Sequence, residues 1–250
     1  MRKFGVVIAL AVELENVLNA LGNIDKVEEV GAYEVYFVSH GKCKLFVVVS
    51  GAGEIAASAT TQMLISKYSV DAIFNFGFVG SLDNTLVCQQ VVIGKDIVHY
   101  DINTEAVDNM PVGRYDDFDD IYVPCSNALI AKAVEYNSKL RLVRIASGDT
   151  FIADSAKKQW LIETFHADIC DMESAGIVIT ASRNKIPVLC LKVISDNADE
   201  KSPIDFIEIA YNGSKACAKI LAGILDEIAG NKNKREKFSK SPNTKRVKKQ

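Results

Sequence analysis

Histidine is scarce in this chain, and the cysteines are scattered. The three histidines, His40, His99 and His166, lie too far apart in sequence to suggest a shared metal or a paired base. The six cysteines, Cys43, Cys88, Cys125, Cys170, Cys190 and Cys217, form no C-x-x-C, and most sit inside apolar runs. That excludes a zinc ribbon and a disulfide framework, and fits buried free thiols in a reducing compartment. No apolar run approaches the ~18 residues of a membrane-spanning helix. A Walker loop, a Rossmann G-x-G-x-x-G turn and a Ser-His-Asp arrangement are also missing, which points away from P-loop, dinucleotide and triad chemistry.

What is present is ordinary globular material: 250 residues, 48% apolar and 24% charged, with a net charge of −3 that favours no particular partner. The charge is unevenly placed. Residues 231–250 carry nine Lys or Arg against one Glu, while the rest of the chain holds 20 basic and 31 acidic residues. The tail has almost no apolar content and reads as a disordered, solubilising extension; contact with nucleic acid or an anionic surface is the weaker reading. Residues 1–230 are then a single domain.

Apolar runs of strand length occur at residues 5–10, 34–39, 44–49, 72–76, 89–98, 142–146 and 188–194. They are continuous rather than alternating, as strands covered on both faces require. Helical patterns lie between many of them, at 13–21, 54–68, 127–136, 155–165, 174–184 and 204–228. This interleaving predicts an α/β fold with a mostly parallel or mixed sheet. The opening MRKFGVVIALAVELENV has two readings, a secretory leader cleaved near Ala11 or a first strand ending at Glu13.

Ligands of such sheets sit beyond the carboxyl ends of the strands. There the chain carries S-G-A-G from Ser50, N-F-G-F-V-G from Asn75, S-G-D-T-F-I from Ser147, D-M-E-S-A from Asp171 and I-S-D-N-A-D from Ile194. Three acids, Glu13, Glu173 and Asp196, stand at or near strand ends. Each alone also reads as a helix-favouring acid or a cap. Together, beside an aromatic and glycines, they fit acid–base chemistry without a cofactor.

In this order and spacing the blocks resemble the nucleoside phosphorylase/hydrolase superfamily, and within it the 5′-methylthioadenosine/S-adenosylhomocysteine nucleosidases, over residues 3–228. The resemblance implies a three-layer α/β/α fold with a central mixed sheet, a homodimer, no metal or organic cofactor, and hydrolysis of a 5′-substituted adenosine to adenine. It implies that Asp196, oriented by Ser195, protonates purine N7, and that Glu13 activates the attacking water. Glu173 would hold the ribose hydroxyls, Met172 would pack on the ribose, Phe151 would stack on adenine and the Ile152 backbone would read its edge. Phe206 falls where the family has an apolar lid. An Asp at position 196 suits a 6-amino purine, whereas members acting on 6-oxopurines commonly carry Asn. The resemblance also aligns residues 5–13 with the family's first strand and glutamate, so a cytoplasmic protein that keeps its N-terminus is expected.

Two positions depart from the nucleosidase pattern. Phe78 stands where a serine is usual, and Lys192 where an arginine is usual, which keeps the charge but loses the planar fork. The superfamily's phosphorylases commonly carry an arginine at the position of Asn75, and residues 72–82 hold no basic side chain. Water is therefore the expected nucleophile. The alternatives are a phosphorylase that finds phosphate through Ser50, Gly51 and Lys192, and a nucleoside-binding protein without turnover. The 5′ substituent is expected near residues 100–111 and Phe206.

Overall fold

The computed structural model describes residues 1–229, so the basic segment 231–250 lies outside the described residues. Ten strands form one sheet: β1 (Arg2–Ile8), β2 (Ile24–Val30), β3 (Tyr33–His40), β4 (Cys43–Val49), β5 (Ala72–Ser81), β6 (Val91–His99), β7 (Val123–Pro124), β8 (Arg141–Ser147), β9 (Ile169–Asp171) and β10 (Val188–Asp196). The helices are α1 (Ala11–Leu21), α2 (Glu54–Tyr68), α3 (Glu105–Asp108), α4 (Asn127–Tyr136), α5 (Ser155–Phe165), α6 (Ser174–Arg183) and α7 (Ser202–Ala229).

The sheet is mixed, as expected. β1 lies between β4 and β5, parallel to both, and β10 runs parallel to the other side of β5. These strands are almost wholly buried, which is why their sequences are unbroken apolar runs rather than alternations. The opening stretch is thus a central strand, and Glu13 lies in the first turn of the helix that follows it.

One part of the sheet closes on itself. β5 has ten residues, and its last two turn to pair antiparallel with β9, Gly80 opposite Cys170 and Ser81 opposite Ile169. β9 pairs with β8, β8 with β6, and β6 antiparallel with β10, which returns to β5. This closure brings the ends of oppositely directed strands together at one place. The helices cover both sides: α1 and α4 pack on α7, which lies along β10, while α2 and α6 pack on each other and against β1, β5 and β10.

Four elements lie outside the expected set. β7 and α3 have only two and four residues. β9 has three, too few for a periodic signal. β2 is long enough, but IDKVEEV is mostly exposed and pairs only with β3, so it is a charged edge strand without an apolar run.

Candidate active site

A cavity of about 420 Å3 opens where the ends of β1, β8, β9 and β10 meet the second half of β5. Most of the expected site residues line it: Glu13, Phe78, Phe151, Ile152, Met172, Glu173, Ser195, Asp196 and Phe206. Ser50 and Lys192 do not. Ser50 is buried and gives its hydroxyl proton to the carbonyls of Ile8 or Gly51, so it ties β4 to β1. Lys192 lies fully buried behind the acids.

Glu13 owes its position to helix capping. It is the third residue of α1, and its Oε2 reaches back to accept from the Leu10 N–H at 2.9 Å. Its Oε1 accepts from the Phe78 N–H of β5 at 3.2 Å. Glu13 is therefore a first-turn acid that caps its own helix, and the same carboxyl faces the cavity. Gly77 makes room for it, because a Cβ there would lie 3.3 Å from Glu13 Oε1. Burial, with repulsion from Glu173, pushes the Glu13 carboxyl up to about 8, although the two N–H donors and Lys192 oppose the shift.

Glu173 comes from the other strand direction, through β9. It sits at the start of α6, and its Oε1 accepts from the Gly53 N–H at 3.2 Å. Burial and the neighbouring Asp171 raise it to about 7, against the pull of Lys192. Lys192 is opposite Gly77 in the β5–β10 register and pairs with Asp171 Oδ2 at 2.6 Å. Its burial favours the neutral amine, but the Asp171 charge outweighs this and the ammonium is held more firmly than usual.

Asp196 occupies the far side. A register shift between Ile194 and Asp196 breaks the regular pairing at the end of β10. Asp196 Oδ2 accepts from Ser195 Oγ at 2.6 Å, and Oδ1 accepts from the Ala198 N–H at 2.9 Å. The Ser195 hydroxyl also lies 3.1 Å from the Val79 carbonyl. An apolar wall joins the two acid ends. Phe206 meets Phe78 edge-on at 5.6 Å and Phe151 edge-on at 5.9 Å. Phe151 remains 43% exposed and stands at the mouth. Among the described residues that line the cavity, none is basic.

The phosphorylase superfamily model matches residues 3–226. The chain belongs to the phosphorylase superfamily. Among its relatives, an aminodeoxyfutalosine nucleosidase of Campylobacter jejuni is 28% identical over 91% of this chain and 100% of its own length. A 5′-methylthioadenosine/S-adenosylhomocysteine nucleosidase of Shewanella is 29% identical over 90% of this chain and 99% of its own. The futalosine hydrolase of Helicobacter pylori superposes with a TM-score of 0.87 at 26% identity, covering 90% of this chain and 98% of that one. The methylthioadenosine/S-adenosylhomocysteine nucleosidase of the same organism, bound to a pyrrolidine inhibitor, gives the same score, identity and coverage. The superfamily fold, a mixed sheet with helices on both sides, is the fold described above.

Three parts of the site went unassigned in the sequence. Asp171 was visible only as the first letter of D-M-E-S-A, yet it anchors Lys192. Glu54 follows the S-G-A-G block at the start of a helical pattern with no role assigned to it, yet it is buried beside Asp171. Cys170 reads as core, but its thiol lies against Gly80 and faces the cavity. None of these had a local signal, because each depends on β9, a strand of three residues.

Proposed function

We propose that this superfamily member hydrolyses the N-glycosidic bond of a 5′-substituted adenosine and releases adenine. The observation that carries the reading is one cavity with Glu13 and Glu173 at one end, Asp196 at the other, and no basic described residue in its lining. Breaking the C1′–N9 bond builds positive charge on the ribose and negative charge on the purine. A carboxylate-rich end suits the first and a proton donor suits the second. In this scheme Glu13 takes a proton from water as its oxygen attacks C1′, Asp196 supplies one to purine N7, and Glu173 holds the ribose hydroxyls. Phe151 and the Ile152 backbone accompany the purine, Met172 the ribose, and Phe206 closes over the 5′ group.

Water is favoured over phosphate by electrostatics. A phosphate dianion would enter beside Glu13 and Glu173, and the nearest cation, Lys192, is already paired with Asp171. The names of the relatives widen the choice of 5′ substituent to include aminodeoxyfutalosine beside methylthioadenosine and S-adenosylhomocysteine. A cytoplasmic homodimer working in nucleoside salvage goes with this reading. Among the described residues no helix is long and apolar enough to cross a membrane.

The test is adenine release from 5′-methylthioadenosine, S-adenosylhomocysteine, 5′-deoxyadenosine and aminodeoxyfutalosine, with and without phosphate. Release without phosphate establishes the hydrolase and ranks its substrates. Release only with phosphate makes the protein a phosphorylase. Tight adenine binding with no release from any of the four makes it a binding protein.

A further inference from the structure

Behind the cavity, four carboxyl groups, Glu13, Glu54, Asp171 and Glu173, are buried around one buried ammonium, that of Lys192. They cannot all be ionised at acceptable cost. The hydrogen bonds at Ser147 show where one proton sits. Ser147 Oγ touches Glu54 Oε1 on one side and Asp171 Oδ1, at 2.6 Å, on the other; it also accepts from the Ala175 N–H at 3.0 Å. A hydroxyl has one hydrogen, so it can donate to only one of two carboxyl oxygens. The other contact is a hydrogen bond only if that carboxyl is itself the donor.

The surroundings decide which carboxyl it is. Asp171 has Lys192 Nζ at 2.6 Å on Oδ2 and the Ser174 N–H at 3.3 Å from Oδ1, an ammonium and an amide suited to a carboxylate; the Ser174 hydroxyl lies against Oδ2 as well, and is also 3.0 Å from Asn75 Oδ1. Glu54 has the Gly176 N–H on Oε2 and no cation within salt-bridge distance among the described residues. We infer that Glu54 is a positioning residue that works in its protonated form. It donates to Ser147, Ser147 donates to Asp171, and the ionised Asp171 fixes the Lys192 ammonium beneath Glu13 and Glu173. Gly176 permits this contact, since a Cβ there would collide with the Glu54 carbonyl. The inference rests on the nucleosidase reading for its kinetic consequence only.

The titratable groups facing Glu54 are Asp171, Glu173 and Tyr115, while Asp149 caps its backbone N–H at 2.7 Å. The test compares Glu54→Gln with Glu54→Ala and Ser147→Ala. A glutamine reproduces a protonated glutamate, with its amide donating to Ser147 and its oxygen accepting from Gly176. Glu54→Gln is expected to hold kcat within about threefold, while Glu54→Ala and Ser147→Ala each lose roughly ten- to a hundredfold in kcat with little change in KM. The double variant Glu54→Ala, Ser147→Ala should lose no more than the worse single one. A Glu54→Gln protein as impaired as Glu54→Ala overturns the inference, as does full activity in Glu54→Ala.

A second readout needs no activity. Thermal melts at pH 6 and pH 9 should show Glu54→Gln gaining on the wild type at the higher pH, because the wild type must then ionise a buried acid. A Glu54→Gln protein that instead loses ground at pH 9 overturns the inference even if no substrate is found. Inactivity of the wild type on every nucleoside, with the melts as expected, would count against the nucleosidase reading alone.

Discussion

The two ends of the cavity hold the same functional group in opposite settings. Asp196 has the Ala198 N–H on Oδ1 and, against Oδ2, the Ser195 hydroxyl, which the Val79 carbonyl shares. Glu13 and Glu173 have backbone donors too, but they share a buried floor with Asp171, Glu54 and a single lysine. At the Asp196 end the contacts belong to one side chain and its neighbours. At the floor proton position is collective, because burial and then the neighbouring carboxyls raise Glu13, Glu54 and Glu173. The lesson is that acid and base roles are assigned by surroundings, and that the floor is the end to perturb.

The sharpest test removes the two proposed proton-transfer groups one at a time. Asp196→Asn and Glu13→Gln change little volume and each would remove one proton transfer of the proposed scheme, so each should lower kcat by about 10²–10⁴-fold with the circular dichroism spectrum unchanged. If only one of the pair matters, the two-ended picture fails at the other position.

Removing the shared cation breaks the floor itself. Lys192→Met leaves the ionised Asp171 without its partner and the other acids without a counter-charge. Removing one partner of a buried pair typically costs about 3–5 kcal/mol, so unfolding in urea should shift by that amount. Lys192→Arg should recover part of it. A loss below about 1 kcal/mol would mean the carboxyls simply take up protons and the floor is less charged than its geometry suggests.

Much of this architecture was legible in the sequence, and the rest shows what a single sequence conceals. The strands that carry Glu13 and Asp196 are long apolar runs that announce themselves by continuity, and the helices after β1, β4 and β9 appear as three-and-four spacing. The blocks at their ends hold seven of the nine expected residues that line the cavity, and Glu13 and Phe206 are the other two. Lys192 and Ser50 were expected at the surface of the site and lie behind it, because strand-end position gives the address of a residue but not the direction of its side chain. Glu54, Ser147 and Asp171 were on the page but unlinked, since they come from three elements, with Ser147 93 residues from Glu54 and 24 from Asp171. β2 was invisible because an edge strand of charged residues has no apolar pattern to show.

The pH dependence sharpens the comparison further. With the Glu13 carboxyl raised from an ordinary 4.5 to about 8, the folded protein binds an extra proton between those values. Stability from this group is therefore fully present below about pH 4.5 and is lost as pH climbs through about 8. Glu13→Gln should flatten that decline, by about 4 kcal/mol between pH 5 and pH 9 in urea unfolding. Catalysis should move the opposite way. The form of Glu13 that accepts a proton from water grows with pH, so kcat/KM should rise toward pH 8 in the wild type. A profile that falls over this range would assign Glu13 an acid role instead.

The smallest effect is expected at the wall between the two ends. Phe78 gives its backbone N–H to Glu13 and meets the Phe206 ring edge-on, so one residue serves the floor through its main chain and the proposed apolar lid through its side chain. Phe78→Ser keeps the first contact and removes the second. Losing an edge-to-face aromatic pair costs about 0.5–1.5 kcal/mol, which should raise KM for methylthioadenosine by roughly two- to tenfold. The space opened beside Glu13 admits water with a hydroxyl to orient it, so kcat should rise by a few-fold at most. A split of this kind, with KM and kcat moving up together, would show that the ring limits water at the acid end while gripping substrate through the lid. A KM change with kcat unmoved would confine Phe78 to the lid, and the attacking water would then have to reach Glu13 by a path that the ring does not obstruct.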